Sequence, residues 1–262
     1  MRIKKVWAVY FSGTGTTEKR RCGASRRAWH RRWTRSWRYT ILPLRQRGSG
    51  AAGLTRRAGG AGRTGVRRAR TNVLLPYLTK QLHGGGALAV PVVLFGNRNF
   101  DDGLIELRNI LTEDGFMPVV GAGAVRGRAR LLRTLGAGRP NGDDLAEMDA
   151  FARRAAEKVT ALTAAPAEPV AVRGETPIRP YYTPRDRHGN PINILKVKPK
   201  TDMDRCGGCG LCAARCPMGS IDPADVSQVT GICIKCCACV KGCPAEAKYF
   251  DDAGYLYHKS EL

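Results

Sequence analysis

The chain opens on a short apolar run, Ile3, Val6, Ala8, Val9 and Phe11, that predicts a strand. A turn of small and hydroxylated residues follows it, Ser12-Gly-Thr-Gly-Thr-Thr17, and then Glu18. From residue 19 to 72 neither a helical nor a strand period is legible. The pattern resumes at Val73, where Leu75, Leu78 and Leu82 share one face of a helix over 73–82, with Pro76 in its first turn. Ala87 to Phe95 is apolar throughout, as a strand covered on both faces would be. Pro91 counts against it, because it cannot donate to a ladder. Asp101 and Asp102 then open a helix with Leu104, Leu107 and Leu111 on one side, the acids suiting its positive end and Gly115 its stop. Phe116 to Val120 predicts another strand. Asp143 to Leu162 predicts a helix with Leu145, Met148, Ala152, Ala155 and Val159 inward. Strands alternating with helices imply a parallel α/β sheet over residues 1–162. Residues 163–200 are rich in Pro and polar residues and read as an extended connection. A second, smaller domain occupies 201–262.

Charge changes this picture in one place. The formal net charge is +22, with 44 Lys and Arg against 22 Asp and Glu. Residues 19–72 alone hold Lys19, sixteen arginines and no acid, so the rest of the chain carries 27 cations against the 22 acids, a net of +5. One segment makes the protein basic. Trp29, Trp33 and Trp37 lie four apart within it, interleaved with Arg. Such a stripe could stack bases and track phosphates, so a nucleic-acid-binding protein whose cysteines form a purely structural module is the rival reading. A membrane-surface helix is a third. Weak, non-specific nucleic-acid binding is expected of any chain this basic. No run of 18 apolar residues occurs, so no membrane span is expected. The N-terminal residues lack the apolar core of a secretory signal, which makes the cytoplasm the default compartment.

Ten cysteines are present, and eight fall into two runs of identical spacing. Cys206-Gly-Gly-Cys209-Gly-Leu-Cys212-Ala-Ala-Arg-Cys216-Pro217 is repeated as Cys233-Ile-Lys-Cys236-Cys-Ala-Cys239-Val-Lys-Gly-Cys243-Pro244. Three thiolates at this spacing wrap one corner of a [4Fe–4S] cubane, and the fourth crosses to the other cluster. One cluster is thus assigned Cys206, Cys209, Cys212 and Cys243, the other Cys233, Cys236, Cys239 and Cys216. Gly207, Gly208 and Gly210 would let backbone N–H groups approach the sulfurs. A pair of zinc sites is the alternative, but zinc favours paired knuckles of four ligands without the terminal prolines. Cys237 falls outside the ligand spacing and is expected to be a buried thiol, and Cys22 has no assigned role.

The turn Ser12, Gly13, Thr14, Gly15, Thr16, Thr17 resembles the phosphate loop of flavodoxins. Hydroxyls and backbone N–H groups there suit one terminal phosphate, and the absence of a following Lys argues against an ATP loop. Val119-Val-Gly121-Ala-Gly123-Ala-Val-Arg-Gly127 imitates a dinucleotide fingerprint. Asp143, however, opens a helix rather than ending a strand, and residues 125–132 lack a helical face. His30, His83, His188 and His258 sit in no nucleophile pattern, so no hydrolase is indicated.

Taken together, Val6–Glu18, Leu94–Asp102, Arg133–Pro140, Ile194–Lys200 and both cysteine runs resemble the flavodoxin–ferredoxin fusion family sometimes called ferrodoxins. The resemblance spans about three quarters of the chain. It implies a flavodoxin-like, doubly wound parallel sheet that binds FMN, joined to a small α+β bacterial-type ferredoxin domain. Ser12 to Thr17 would hold the FMN phosphate, and Gly96, Asn97, Asn99 and Phe100 would line its ring. Residues 19–72 depart from the family, which needs a helix, two strands and a second flavin loop there. Val125 to Leu132 is a shorter interruption of the same composition. Both stretches read as a GC-rich gene translated in the wrong frame, so weak FMN binding or none is expected of this chain. The expected function is transfer of single electrons between FMN and two clusters, as an electron carrier or oxidoreductase component. Its partner would be a redox protein or a small-molecule acceptor.

Overall fold

The computed structural model describes residues 3, 6–11, 37–41, 58–64, 75–76, 78–80, 82–95, 99–126 and 137–261, the side chains within 6–11, 37–41, 58–64 and 123–126 excepted. The elements in chain order are β1 (Val6–Phe11), β2 (Trp37–Ile41), β3 (Ala58–Thr64), β4 (Leu88–Phe95), α1 (Gly103–Glu113), β5 (Met117–Pro118), β6 (Ala122–Arg126) and α2 (Gly142–Ala161). After these come β7 (Lys200–Thr201), α3 (Leu211–Arg215), α4 (Ala238–Gly242), β8 (Lys248–Tyr249) and α5 (Ala253–Ser260). The chain divides into two compact units, and the break in its later half falls between Tyr181 and Tyr182.

The first unit is built on a sheet ordered β2-β1-β3-β4-β5, with β6 also on β4 and every pairing parallel. This is one of the two common strand orders of doubly wound sheets. Two of its strands correct the sequence reading, because β2 and β3 lie inside residues 19–72, where no strand period is legible. Both flank β1, and β3 is Ala-Gly-Gly-Ala-Gly-Arg-Thr. Ladder pairing uses backbone groups alone, so a chain of the right length can satisfy its neighbours' N–H and C=O groups without a side-chain pattern.

Pro91 sits in β4 between two parallel neighbours. Met117 and Val119 donate to the carbonyls of Ala87 and Ala89, so odd-numbered residues of β4 face the fifth strand position. The Pro91 nitrogen therefore points to the place where that position changes from β5 to β6, between Pro118 and Ala122. β6 covers part of the interruption that sequence reasoning left unassigned.

Helix α2 starts on a capping box: the Asn141 side chain accepts from Asp144 N–H, and the Asp144 carboxylate accepts from Asn141 N–H. Its inner face is Met148, Ala152, Ala155, Ala156 and Val159, while Leu145 is half-buried. Val159 packs with Leu88 and Val119. Asp102, expected to serve the dipole of α1, makes no cap hydrogen bond. It is 2% exposed and instead holds Arg179, through the backbone N–H at 2.9 Å and the guanidinium. Residues 170–181 thus lie on the first unit: Val170 N–H donates to Pro118, and the Tyr181 hydroxyl donates to Glu106. Gly174 sits against Ile105 at φ +147, where no side chain fits.

In the second unit, Lys200 and Thr201 pair antiparallel with Tyr249 and Lys248. The stretch before β7 lies along α5: Arg187 N–H donates to the Tyr257 hydroxyl, and its guanidinium pairs with Glu261 at 2.9 Å. Phe250 stacks on Tyr255 at 4.3 Å, and Ile194, Val197 and Cys237 fill the space around them.

Candidate metal centre

The second unit contains one backbone motif twice, offset by 27 residues. Gly208 and Lys235 are left-handed at φ +66 and +49, Gly210 and Cys237 at +66 and +58, and Gly219 and Glu246 at +62 and +53. Gly210 and Cys237 are the N-caps of α3 and α4, and Cys216 and Cys243 are their extended C-caps. Ser220 N–H donates to Cys216 Sγ at 3.4 Å, and its counterpart Ala247 N–H donates to Cys243 Sγ at 3.3 Å. Identical spacing has produced identical loops, and the left-handed turns curl each loop around its sulfurs. Three of these six positions carry residues other than glycine. The Arg215 guanidinium donates to Gly242 O at 2.7 Å, tying the helix of one half to that of the other.

A recess is lined by Cys216, Cys233, Cys236, Cys237 and Cys239, with Ile221, Ile232, Ile234 and Pro199 among its walls. The fourth cysteine of the first run is therefore placed with the first three of the second. Lys235 N–H adds a contact to Cys233 Sγ at 3.4 Å. Burial pushes the Cys239 thiol up to about 12, and the neighbouring Cys236, Cys233 and Cys237 sulfurs push the same way, while Lys248 opposes them. Gathering thiolates here is costly without cations among them, and bound metal supplies those cations and deprotonates its thiols outright. Among the described residues no three side chains close on one point as a single ion would need. Cys237, outside the ligand spacing, is 4% exposed and makes contacts of 3.5 Å to Lys235 O and 3.4 Å to the Tyr255 hydroxyl. Nine cysteines are described, none in a disulfide.

For the other set, Cys206 and Cys212 are half-buried against Ala213, Ile221, Val226 and Cys239, and Cys209 is exposed. Cys243 is half-buried at the end of α4. The sequence does not reveal that Cys216 and Cys239 share this apolar layer with Cys206 and Cys212.

The flavin candidates are less fully described. Ser12, Gly13, Thr14, Gly15, Thr16, Thr17, Gly96 and Asn97 lie outside the described residues. Strands β1 and β4 end at Phe11 and Phe95 on the carboxyl edge of the parallel sheet, where such sheets take ligands. Asn99 is exposed, and its side chain accepts from Phe100 N–H at 2.7 Å and Asp101 N–H at 3.3 Å. The Phe100 ring lies 5.6 Å from Phe95, with the Arg173 guanidinium 5.5 Å from its centroid. Of the Trp/Arg stripe, Trp37 belongs to β2, while Trp29 and Trp33 lie outside the described residues.

Residues 199–222 match the family described as "4Fe-4S binding domain". That match covers the first cysteine run, so the chain carries an iron–sulfur segment similar to that family. Among solved structures, one titled "Structure of a flavodoxin from the domain Archaea" is similar at a TM-score of 0.40 and 17% identity. The similarity covers 60% of this chain and 99% of that one. No curated protein matches the chain. Among the described residues no helix is long and apolar enough to cross a membrane.

Proposed function

We propose that this protein transfers single electrons through two [4Fe–4S] clusters, with an FMN site in the sheet unit as the other end of the path. The observation that carries the reading is the grouping of Cys216 with Cys233, Cys236 and Cys239 around one recess. The repeated loop geometry extends it to Cys206, Cys209, Cys212 and Cys243. The match at 199–222 supports the first half independently. When bound, the clusters supply one-electron chemistry. The chain's own residues fix the sulfurs, exclude water with the buried Ile221 and Ile234, and direct N–H groups at Cys216, Cys233 and Cys243.

Anaerobic reconstitution of the full chain tests the reading. About eight iron and eight sulfide per chain, with visible absorbance that bleaches on reduction, is the expected result. Stoichiometric zinc without sulfide would overturn it. For the flavin, the loops after β1 and β4 support FMN over FAD or riboflavin, because a Gly/Thr turn fits one terminal phosphate. Titration with the three flavins is expected to rank FMN first and to find it weak, since residues 19–72 lack a legible second flavin loop.

A further inference from the structure

The two halves of the cysteine unit differ in charge at the residue before the middle cysteine. Gly208 and Lys235 occupy the same place, one residue before the middle cysteine, and both are left-handed. Glycine adopts that backbone freely, whereas a lysine there is strained. Lys235 is also 3% exposed, so its ammonium is withdrawn from water. Its Nζ donates to the carbonyls of Leu195 and, at 3.0 Å, Cys233. The side chain is folded back along the cysteine loop instead of reaching into solvent. Strain and burial at one residue call for a compensating interaction, and an anionic centre held by Cys233 and Cys236 provides it.

Adding an electron to such a centre increases its negative charge. A fixed cation close by, in a medium of low dielectric, stabilises the reduced form and raises the potential. Gly208 gives the first half no such charge, and Arg215, next to Cys216 with its guanidinium on Gly242 O beside Cys243, borders ligands of both centres. The charges leading into that half, Asp202, Asp204 and Arg205, are of mixed sign, and Asp204 and Arg205 are exposed and screened. Lys248 is buried, bonded to Val226 O in the layer that cysteines of both halves share, so it acts on both centres. Half-buried Lys241 lies between Cys239 and Cys243 and likewise serves both.

We propose that Lys235 makes the centre held by Cys216, Cys233, Cys236 and Cys239 the higher-potential one of the pair, so that an electron on the chain rests there. The inference depends on the two-cluster reading above. Iron and sulfide are therefore counted first on the reconstituted full chain. About four of each would overturn that reading whatever Lys235 does. With about eight of each, dithionite titration followed by EPR should resolve two one-electron steps. Cys216→Ala should remove the upper step, and loss of the lower step overturns the proposal. Lys235→Gln should weaken the upper reduction equilibrium at least tenfold, about 59 mV for one electron, and leave the lower step in place. Lys235→Arg, which keeps the charge, should hold the upper step within threefold. Coincident steps in the unaltered chain, or an Arg variant shifted as far as the Gln variant, would overturn the assignment.

Discussion

Strands β2 and β3 and the two cysteine loops are specified in opposite ways. β3 is Ala-Gly-Gly-Ala-Gly-Arg-Thr, with no apolar alternation, and β2, Trp-Arg-Tyr-Thr-Ile, alternates over only five residues inside an arginine-rich run, yet they take the places on either side of β1. What holds them is backbone pairing in a parallel ladder, which is indifferent to side chains. The cysteine loops carry almost no regular structure: α3 and α4 have five residues each, and β7 and β8 have two. Their shape depends on particular residues at particular places, from the sulfurs to the left-handed positions between them. A change of side chain should therefore be nearly invisible in one region and decisive in the other.

The largest effect that would break or sharpen this contrast is at Cys216. Cys216→Ala should cost about half of the iron and sulfide, taken from the centre of Cys233, Cys236 and Cys239, although Cys216 lies nearer in sequence to Cys212. Metal analysis checks the amount, and EPR of the reduced protein checks which centre is lost. Cys237→Ala is the paired control. Cys237 lines the same recess and touches the Tyr255 hydroxyl. It should leave the iron count unchanged and cost about 1 kcal/mol of stability for the small void, measured by denaturant unfolding. Half the iron lost from Cys237→Ala would mean that the ligand set is wrong.

The iron–sulfur segment at 199–222 was legible because cysteine spacing and ligand chemistry are local properties of the sequence. The sheet was legible only where side chains face a core. β4, α1 and α2 emerge from Leu88, Val93, Leu107, Leu111, Met148 and Val159, all of which are buried. The Trp37, Tyr39 and Ile41 alternation of β2 is too short to stand out among the surrounding arginines, and β3 does not emerge, because backbone pairing leaves no mark on residue type. β6 was hidden for the same reason, in a run of Ala and Gly that imitated another motif. The partner of Asp102 was also out of reach. A helix-opening acid is normally explained by the dipole, and nothing local points to Arg179, 77 residues away.

That long-range contact gives a middle-sized prediction. Asp102 is buried and accepts both the backbone N–H and the guanidinium of Arg179. Asp102→Ala should destabilise the sheet unit by about 1–3 kcal/mol, the range for hydrogen bonds to charged groups. Arg179 is half-exposed and regains water, which keeps the loss from growing further. Hydrogen exchange should speed up across residues 170–181 and leave the cysteine unit unchanged. Equal acceleration in both units would show that they do not unfold independently.

The smallest effect is electrostatic and lies at the end of α1. Asp114 is the C-cap residue of that helix, and its Oδ2 is buried with no hydrogen-bond partner. Burial pushes its carboxyl up to about 6, Glu113 adds to the rise, and His83 opposes it. A raised carboxyl means that the folded chain holds its proton more tightly than the unfolded chain, whose value is 3.8. Ionised Asp114 therefore destabilises the fold above about pH 6, and the penalty fades as pH falls from 6 toward 3.8. Asp114→Asn should accordingly stabilise the protein at pH 8 and make almost no difference at pH 4. Because the group is partly exposed, the gain is held to about 1 kcal/mol or less, roughly 2–4 °C in Tm for a chain of this size. Thermal melts of both proteins at the two pH values check it. A gain that is equal at pH 4 and pH 8 would assign the effect to packing at the helix end instead of charge. His83→Ala, which removes the group that opposes the rise, should enlarge the penalty of the native aspartate and leave the Asn variant unaffected.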